Sequence, residues 1–234
     1  VMFAFSFGPF LGFWLAFESA QRLGCLCLPG GGLSSAARLR MMQANQPAAL
    51  CCTPTYAIRL AEVAAEEGIA TASLGVKTII VAGEPGGSIP ATRAKLSSLW
   101  PGARIFDHHG MTEIGPVTYE CPAQPGVLHV IESAYLAEVI EPLSGQSASS
   151  GELVLTTLTR AGSPLLRYRT GDHGRLATVA LPDGRRARAI LDLEGRAPVT
   201  FRTADGSRVG SVDVARRIRP LAPIVQHQLH QSAD

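Results

Sequence analysis

The hydrophobic pattern of this chain changes near residue 118, and that change is the strongest constraint on its fold. Before it, segments with helical periodicity alternate with short, fully apolar segments, such as a helix at 54–67 followed by a strand at 76–82. Such alternation is typical of βαβ units in a largely parallel sheet, where ligands bind at the carboxyl ends of the strands. We therefore predict an α/β fold with its site at that edge.

The same pattern places the other elements of the first half. We predict helices at 10–22, 34–43 and 88–99 and strands at 24–28, 48–52 and 104–108. Proline stands in the first turn of the helix at 54–67, and we expect Ser88 to cap the helix at 88–99. Together these elements form a predicted α/β part at residues 1–117.

Beyond Thr118 the helical periodicity stops, and short β-rich runs alternate with turns rich in Pro, Gly and Ser. The run Leu181-Pro182-Asp183-Gly184-Arg185 is typical of a hairpin turn, here between strands at 174–180 and 186–193. We therefore predict a second, small β-rich lobe, a sheet or barrel, at residues 118–195.

Composition argues against two classes of partner. The 234 residues carry a net charge of +2 and no basic run with interleaved aromatic residues, so we do not expect nucleic-acid binding. Residues 1–17 are apolar and uncharged, but the segment is short for a bilayer span and is interrupted by Gly8-Pro9. We predict a buried helix there and no membrane partner.

The five cysteines form no zinc-type pairs, and one would be left over if all were oxidised, which favours a reducing cytoplasm. One metal alternative stays open. Cys121, His129 and the pair His108-His109 could hold a structural zinc if the intervening strands fold back together. The competing interpretation is a buried thiol with histidines in strands.

Two polar turns stand out in this apolar sequence, His109-Gly110-Met111-Thr112-Glu113 and Tyr168-Arg169-Thr170-Gly171-Asp172. The first presents a hydroxyl and a carboxylate side by side, which suits a phosphate oxygen and its bound Mg²⁺. In the second, the aspartate after the glycine can accept two hydrogen bonds from the cis-diol of a ribose. Taken singly, neither turn is specific, because Gly-x-Thr-Glu occurs in many loops and a Thr-Gly-Asp turn between strands more often belongs to an ordinary hairpin.

Both turns, in this order, resemble motifs of the adenylate-forming superfamily of acyl-CoA synthetases, and most closely those of the phenylacetate-CoA ligase family. The resemblance runs from about residue 7 to residue 196. The other segments that carry it are Cys52-Thr53-Pro54-Thr55-Tyr56-Ala57, Ala82-Gly83-Glu84-Pro85, Gly126-Val127-Leu128-His129-Val130 and Gly151-Glu152-Leu153-Val154-Leu155-Thr156-Thr157-Leu158.

The resemblance implies a reaction in two steps. A carboxylic acid, expected to be aromatic, attacks the α-phosphorus of ATP to give an acyl-adenylate, and coenzyme A then takes the acyl group. The implied cofactors are ATP, Mg²⁺ and coenzyme A, and relatives of this kind can pair as homodimers. Two alternatives stay open: an adenylation unit that loads a carrier protein, and a non-catalytic remnant that binds a nucleotide or an acyl group.

The resemblance also assigns roles to single residues. Glu113 would hold Mg²⁺, Thr112 would bond the α-phosphate, and Asp172 would bind the ribose hydroxyls. His109, which stands where many relatives carry tyrosine, and Tyr168 would flank the adenine. Gly110 would belong to the phosphate turn, and Gly83, Glu84 and Pro85 would form the rim of the adenine and acyl site. Arg196 would contact the ribose or the phosphate from the hinge. Phe7 and Phe10, with Phe5 and Phe13, would form the wall of the acid pocket.

The match to the family is incomplete at both ends. The family's phosphate loop would precede Val1, and the 38 residues after Arg196 contain no lysine that could serve as the lid's catalytic lysine. Gly195-Arg196 resembles the family's hinge, so we predict that 196–234 is the hinge and a stump of the lid. Pro198 would restrict rotation there. We therefore expect a fragment that is inactive alone.

Overall fold

The computed structural model describes residues 1–196, 200–203, 205 and 207–210, and the first half of this range forms a parallel sheet with helices. The sheet has the strand order β2-β1-β3-β4-β5, with every neighbouring pair parallel. Its strands are β1 Met2–Phe3, β2 Leu28–Pro29, β3 Ala49–Cys52, β4 Thr78–Val81 and β5 Arg104–Asp107. The α/β fold class predicted from the sequence is confirmed.

Four α-helices connect these strands: α1 Leu11–Arg22, α2 Ser35–Asn45, α3 Pro54–Glu66 and α4 Pro90–Leu99. A short 3₁₀ helix, Thr71–Leu74, precedes β4. Side-chain oxygens cap two of the helices, because Ser34 accepts a hydrogen bond from the Ala37 amide and Thr53 accepts one from the Tyr56 amide, each at 3.2 Å. Trp100 follows α4 and donates its indole N–H to the Ala57 carbonyl within the core.

Two local predictions in this half are wrong. Ser88 does not cap a helix: α4 begins at Pro90, its N-cap Ile89 makes no side-chain bond, and the Ser88 hydroxyl donates to the buried carboxylate of Asp107 instead. The strand predicted at 24–28 shrinks to β2, because the amides of Leu23, Gly24 and Cys25 bond to carbonyls of α1 and close that helix.

The apolar amino-terminal segment is buried only at its start. Residues 2–5 lie in the core, whereas α1 lies at the surface with only Ala20 fully buried and with Leu11 and Trp14 exposed. The buried part is therefore a strand and its continuation, and the prediction of a buried helix is wrong. None of the helices in the described part of the chain has the length and apolar character needed to cross a bilayer.

The second half is built from antiparallel strands. A two-stranded hairpin of β6 Gly110–Met111 and β7 Gly115–Pro116 leads into a six-stranded sheet with the order β10-β11-β12-β13-β9-β8. The turn predicted at 181–185 joins the two longest strands, β12 and β13. The strands of the large sheet are β8 Thr118–Glu120, β9 Leu128–Val130, β10 Tyr135–Ile140, β11 Ser150–Thr157, β12 Tyr168–Ala180 and β13 Arg186–Arg196.

The division into domains stays a prediction. The parallel sheet lies within 1–117 and the six-stranded sheet begins at Thr118. Of the predicted hinge and lid stump at 196–234, the structure describes the backbone of Arg196 and a small hairpin of β14 Thr200–Arg202 and β15 Arg208–Gly210. Pro198 and the rest of that segment lie outside the described residues.

One buried carboxylate joins the two halves. Glu120 of β8, whose side chain is 2% exposed, accepts hydrogen bonds from Arg93 of α4 and from the Asp107 amide of β5, both at 2.7 Å. Its other oxygen accepts a bond from the Gly126 amide at 2.9 Å. Arg93 also donates to the carbonyls of Gly87 and Ile105. The charge is therefore fully hydrogen-bonded despite its burial.

We expect Glu120→Gln to lower the free energy of unfolding by about 3 kcal/mol, because it leaves the Arg93 guanidinium without its counter-charge in a buried site. Urea denaturation would measure the change. Glu138→Gln is the matched control, since Glu138 pairs with Arg167 at the surface, and we expect little effect there. Equal stabilities of the two variants would contradict the structural role of Glu120.

Candidate functional site

A cleft of about 950 Å³ opens at the carboxyl ends of β3, β4 and β5. Thr53, Gly83 and His108, which follow these three strands, line it on one side. Residues of α1 and of the β6–β7 hairpin form the other walls, and the lining is mainly apolar. The cleft therefore lies where open parallel sheets bind ligands.

The first polar motif forms the β6–β7 hairpin at the rim of this cleft. Gly110 is required by close approach, because a Cβ there would lie 2.7 Å from the Gly115 carbonyl oxygen. Thr112 and Glu113 occupy the tip, where their side chains are exposed and line the cleft. The predicted turn therefore presents a hydroxyl and a carboxylate to a cavity.

Two side chains from the antiparallel half hold this hairpin from outside. The Tyr135 hydroxyl donates to the Ile114 carbonyl at 3.1 Å, and the Arg160 guanidinium donates to the carbonyl of Glu113. Burial raises the pKa of the Tyr135 hydroxyl, so this donor keeps its proton at neutral pH. The tip is thus fixed by two bonds to successive carbonyls.

Neither Tyr135 nor Arg160 is singled out by sequence reasoning. They lie 21 and 47 residues from their partners along the chain, and no spacing rule connects residues that far apart. The local sequence marks the tip of the hairpin as polar, whereas the donors that support it become visible only when β10 and the segment after β11 are placed.

The second polar motif is a bulge within β12, and the prediction of a turn is wrong. Val154 and Glu152 of β11 pair with Arg169 and His173, so that Thr170, Gly171 and Asp172 together stand opposite the single residue Leu153. The Thr170 hydroxyl donates to the Leu153 carbonyl at 2.8 Å and accepts the Asp172 amide at 3.0 Å. These bonds fix the bulge and aim the Asp172 side chain.

The bulge brings the two motifs together. Asp172 Oδ2 lies 2.9 Å from His109 Nε2, and both side chains are largely buried. His109 itself is not among the residues that line the cleft, whereas its neighbour His108 is. Tyr168 pairs with Leu155 and packs against the core of the antiparallel sheet. His109, Tyr168 and Asp172 therefore all lie outside the set of residues that line the cleft.

The third predicted motif lies beside the hinge strand. Gly83 lines the cleft, and Glu84 accepts the Thr55 amide at 2.7 Å at the start of α3. Pro85 packs against Gly195, where a Cβ would lie 2.8 Å from Pro85 Cγ. The backbone of Arg196 pairs with Asp172, while its side chain lies outside what the structure describes.

Aromatic rings from the amino-terminal segment form the apolar wall of the cleft. Phe5 and Phe13 stack with centroids 4.1 Å apart, and both line the cleft together with Phe10. Phe7 is not among the lining residues, because its ring packs against Trp14 and Phe17 instead. Of the two residues assigned to the acid, the structure thus places only Phe10 at the cleft.

No protein-family model matches the chain. It is 32% identical over 187 residues to a phenylacetate-CoA ligase of Thermus thermophilus, covering 78% of this chain and 41% of that protein. It is also 32% identical over 202 residues to a phenylacetate-CoA ligase of Aromatoleum evansii, covering 84% and 44%. A solved 2-hydroxyisobutyryl-CoA ligase in complex with 2-HIB-AMP superposes with a TM-score of 0.84 at 25% identity, covering 94% of this chain and 48% of that one.

The chain belongs to the adenylate-forming superfamily. The relatives named phenylacetate-CoA ligase confirm the branch that the two motifs predict. This superfamily member spans less than half the length of each of these three relatives.

Several titratable groups of this superfamily member are buried. Burial raises the pKa of Asp107, whose carboxylate accepts the Ser88 hydroxyl. Burial and the neighbouring His109 lower the pKa of His108, and burial lowers the pKa of His129, an effect that Glu120 partly offsets. Within the described ranges, no three His, Cys, Asp or Glu side chains are grouped to hold a metal ion, so the zinc alternative at Cys121 and His129 is not formed there.

We expect Arg160→Met to loosen the tip of the β6–β7 hairpin, because the Glu113 carbonyl loses a charged donor. Backbone amides at 112–115 should exchange with solvent about tenfold faster, as measured by hydrogen exchange and mass spectrometry. Arg167→Met is the control, since Arg167 pairs with Glu138 on β10. An unchanged rate in the Arg160 variant would show that this bond does not fix the tip.

We expect stability to fall as the pH drops below about 6.5, because the unfolded chain protonates His108 and His129 before the folded protein does. Each histidine contributes up to about 1.4 kcal/mol per pH unit. His129→Phe should therefore reduce the slope of unfolding free energy between about pH 7 and pH 5.

Asp107 has the opposite effect on stability. Because its pKa is raised in the folded protein, the folded state binds the proton more readily than the unfolded chain, and this contribution to stability grows as the pH falls. Its contribution is present in both proteins and cancels in the comparison of wild type with His129→Phe. Identical slopes, obtained from urea unfolding at several pH values, would contradict the neutral, buried state of His129.

Proposed function

We propose that this chain is part of an acid-CoA ligase that activates a carboxylic acid with ATP as its acyl-adenylate and then transfers the acyl group to coenzyme A. The observation that supports this most directly is the hairpin tip carrying Thr112 and Glu113 on the rim of an apolar cleft. A polar tip suits phosphate chemistry, and an apolar cleft suits the acyl group. The solved relative complexed with 2-HIB-AMP and CoA supports coenzyme A as the acceptor.

The proposed roles follow the positions of the side chains. Glu113 would hold Mg²⁺ and Thr112 would bond the α-phosphate, because both present exposed oxygens to the cleft. This donor set fits Mg²⁺, which proteins commonly bind through one or two carboxylates together with substrate phosphates. When bound, the ion would offset the negative charge of the phosphates. The hydrogen bonds from Tyr135 and Arg160 to carbonyls of the hairpin would keep the side chains of Thr112 and Glu113 oriented toward the phosphate.

Asp172 is proposed to bind the ribose. Its bulge points the carboxylate toward His109, next to the hairpin, and the backbone pairing with Arg196 places the start of the hinge beside it. We retain Arg196 as a proposed contact to ribose or phosphate. Gly83, Glu84 and Pro85 would then form the rim at the adenine, since Gly83 lines the cleft and Pro85 contacts the hinge strand.

An aromatic acid is the proposed substrate class. The stacked pair of Phe5 and Phe13, together with Phe10, gives the cleft an aromatic wall that can pack on a planar apolar group. Relatives named phenylacetate-CoA ligase support the same class. The five cysteines are free thiols in the structure, which supports the proposed cytoplasmic location.

The proposal predicts that the chain binds a nonhydrolysable phenylacetyl-adenylate analogue and that Asp172→Ala weakens this binding about tenfold or more, because a charged hydrogen bond to the ribose is lost. Isothermal titration calorimetry would measure both affinities. Asp192→Ala is the matched control, since Asp192 pairs with Arg175 at the surface and should leave the affinity unchanged. Absence of binding to the folded wild-type chain would refute the proposed site.

A further inference from the structure

The environment of His109 differs from that expected of a residue stacked on an adenine. The residue is 8% exposed, and its ring faces the β12 bulge rather than the cleft. A ring that is buried in this way offers no free face to an adenine. Nε2 of the ring instead contacts the carboxylate of Asp172, which is the proposed ribose contact.

The backbone holds both partners of this pair in place. The His109 amide donates to the Thr118 hydroxyl at 2.7 Å, and its carbonyl accepts the amides of Val117 and Thr118. On the other side, the Asp172 amide donates to Thr170 within the bulge. The separation of 2.9 Å between imidazole and carboxylate is therefore set by β8 and β12, and does not depend on a ligand.

The second ring nitrogen fixes the direction of this hydrogen bond. His109 Nδ1 is buried and has no hydrogen-bond partner among the described residues. A proton on Nδ1 would be buried without an acceptor, which is unfavourable, whereas a proton on Nε2 meets the Asp172 carboxylate, so we assign the donor to Nε2. His109 then donates to Asp172 Oδ2, and that oxygen is engaged before any nucleotide arrives.

We propose that His109 is a positioning residue that occupies one oxygen of Asp172 and leaves Oδ1 as the main acceptor for the nucleotide sugar. This inference rests on the proposed function, because it takes Asp172 as the ribose contact. A carboxylate with both oxygens open can accept one bond from each hydroxyl of the cis-diol. The bond from His109 takes one of the two acceptor positions of Oδ2 and draws charge from that oxygen. Oδ1 is then the stronger acceptor, and the hydroxyl that faces it contributes more to recognition.

The consequence is an asymmetry between two deoxynucleotides. Relative to AMP, one of the two compounds 2′-deoxy-AMP and 3′-deoxy-AMP should bind the wild-type protein about tenfold more weakly, because it lacks the hydroxyl that faces Oδ1. The other compound should bind with nearly the affinity of AMP. In His109→Phe, which keeps a buried ring but removes the donor, either carboxylate oxygen can accept. The affinities for the two deoxynucleotides should then differ by less than about threefold.

Rescue by a conservative change separates positioning from packing. The amide nitrogen of glutamine reaches close to the place of an imidazole Nε2, so His109→Gln should keep the asymmetry. Asparagine is too short to reach Asp172, so His109→Asn should lose it and provides a second test if the phenylalanine variant does not fold. His173→Phe is the control, because it changes the histidine next to Asp172 and leaves the bond from His109 in place.

The experiment is calorimetric titration of the full chain and these variants with AMP, 2′-deoxy-AMP and 3′-deoxy-AMP, after circular dichroism has confirmed folding. A lost asymmetry in the phenylalanine and asparagine variants, kept in the glutamine variant, would support the inference. AMP binding with the same ratio in all variants would overturn it while leaving the proposed function intact. No AMP binding by the folded wild-type chain would overturn both.

Discussion

The structure depends on a carboxylate that water cannot reach. Glu120 stands at the end of β8, and its oxygens are satisfied by a guanidinium from α4, an amide from β5 and the Gly126 amide. An unpaired charge at this depth would cost several kcal/mol, so these groups must come together for the fold to be stable. Their convergence fixes the parallel sheet against the antiparallel one, and the cleft is the space that this junction leaves open.

The Glu120 network also determines where the polar groups of the candidate site lie. The β6–β7 hairpin connects β5 to β8, the two strands that the Glu120 network ties together. Tyr135 and Arg160 support its tip, and the β12 bulge brings Asp172 to His109, the residue that precedes the hairpin. Backbone hydrogen bonds and buried polar contacts therefore place the side chains that we propose as nucleotide contacts, and preorganisation of this kind lowers the entropic cost of binding.

Hydrophobic periodicity is sufficient to predict the alternation of helices and strands and the change near residue 118. The turn residues at 181–185 predict the hairpin, and all of these depend on local sequence. The bulge at 170–172 was not predictable, since it is defined by one residue on β11 facing three on β12. The same holds for Ser88, whose hydroxyl serves the carboxylate of Asp107, and for Phe7, whose ring turns to Trp14. Motif residues could be named from sequence, whereas their partners required the register of distant strands.

Two independent features of the backbone and its surroundings restrict position 195 to glycine. Gly195 has a φ of +84°, which residues other than glycine rarely adopt. A Cβ at this position would also lie 2.8 Å from Pro85 Cγ. A smaller residue at position 85 would relieve the steric conflict but not the torsional one. A substitution at position 85 alone therefore cannot make room for a side chain at position 195 of β13.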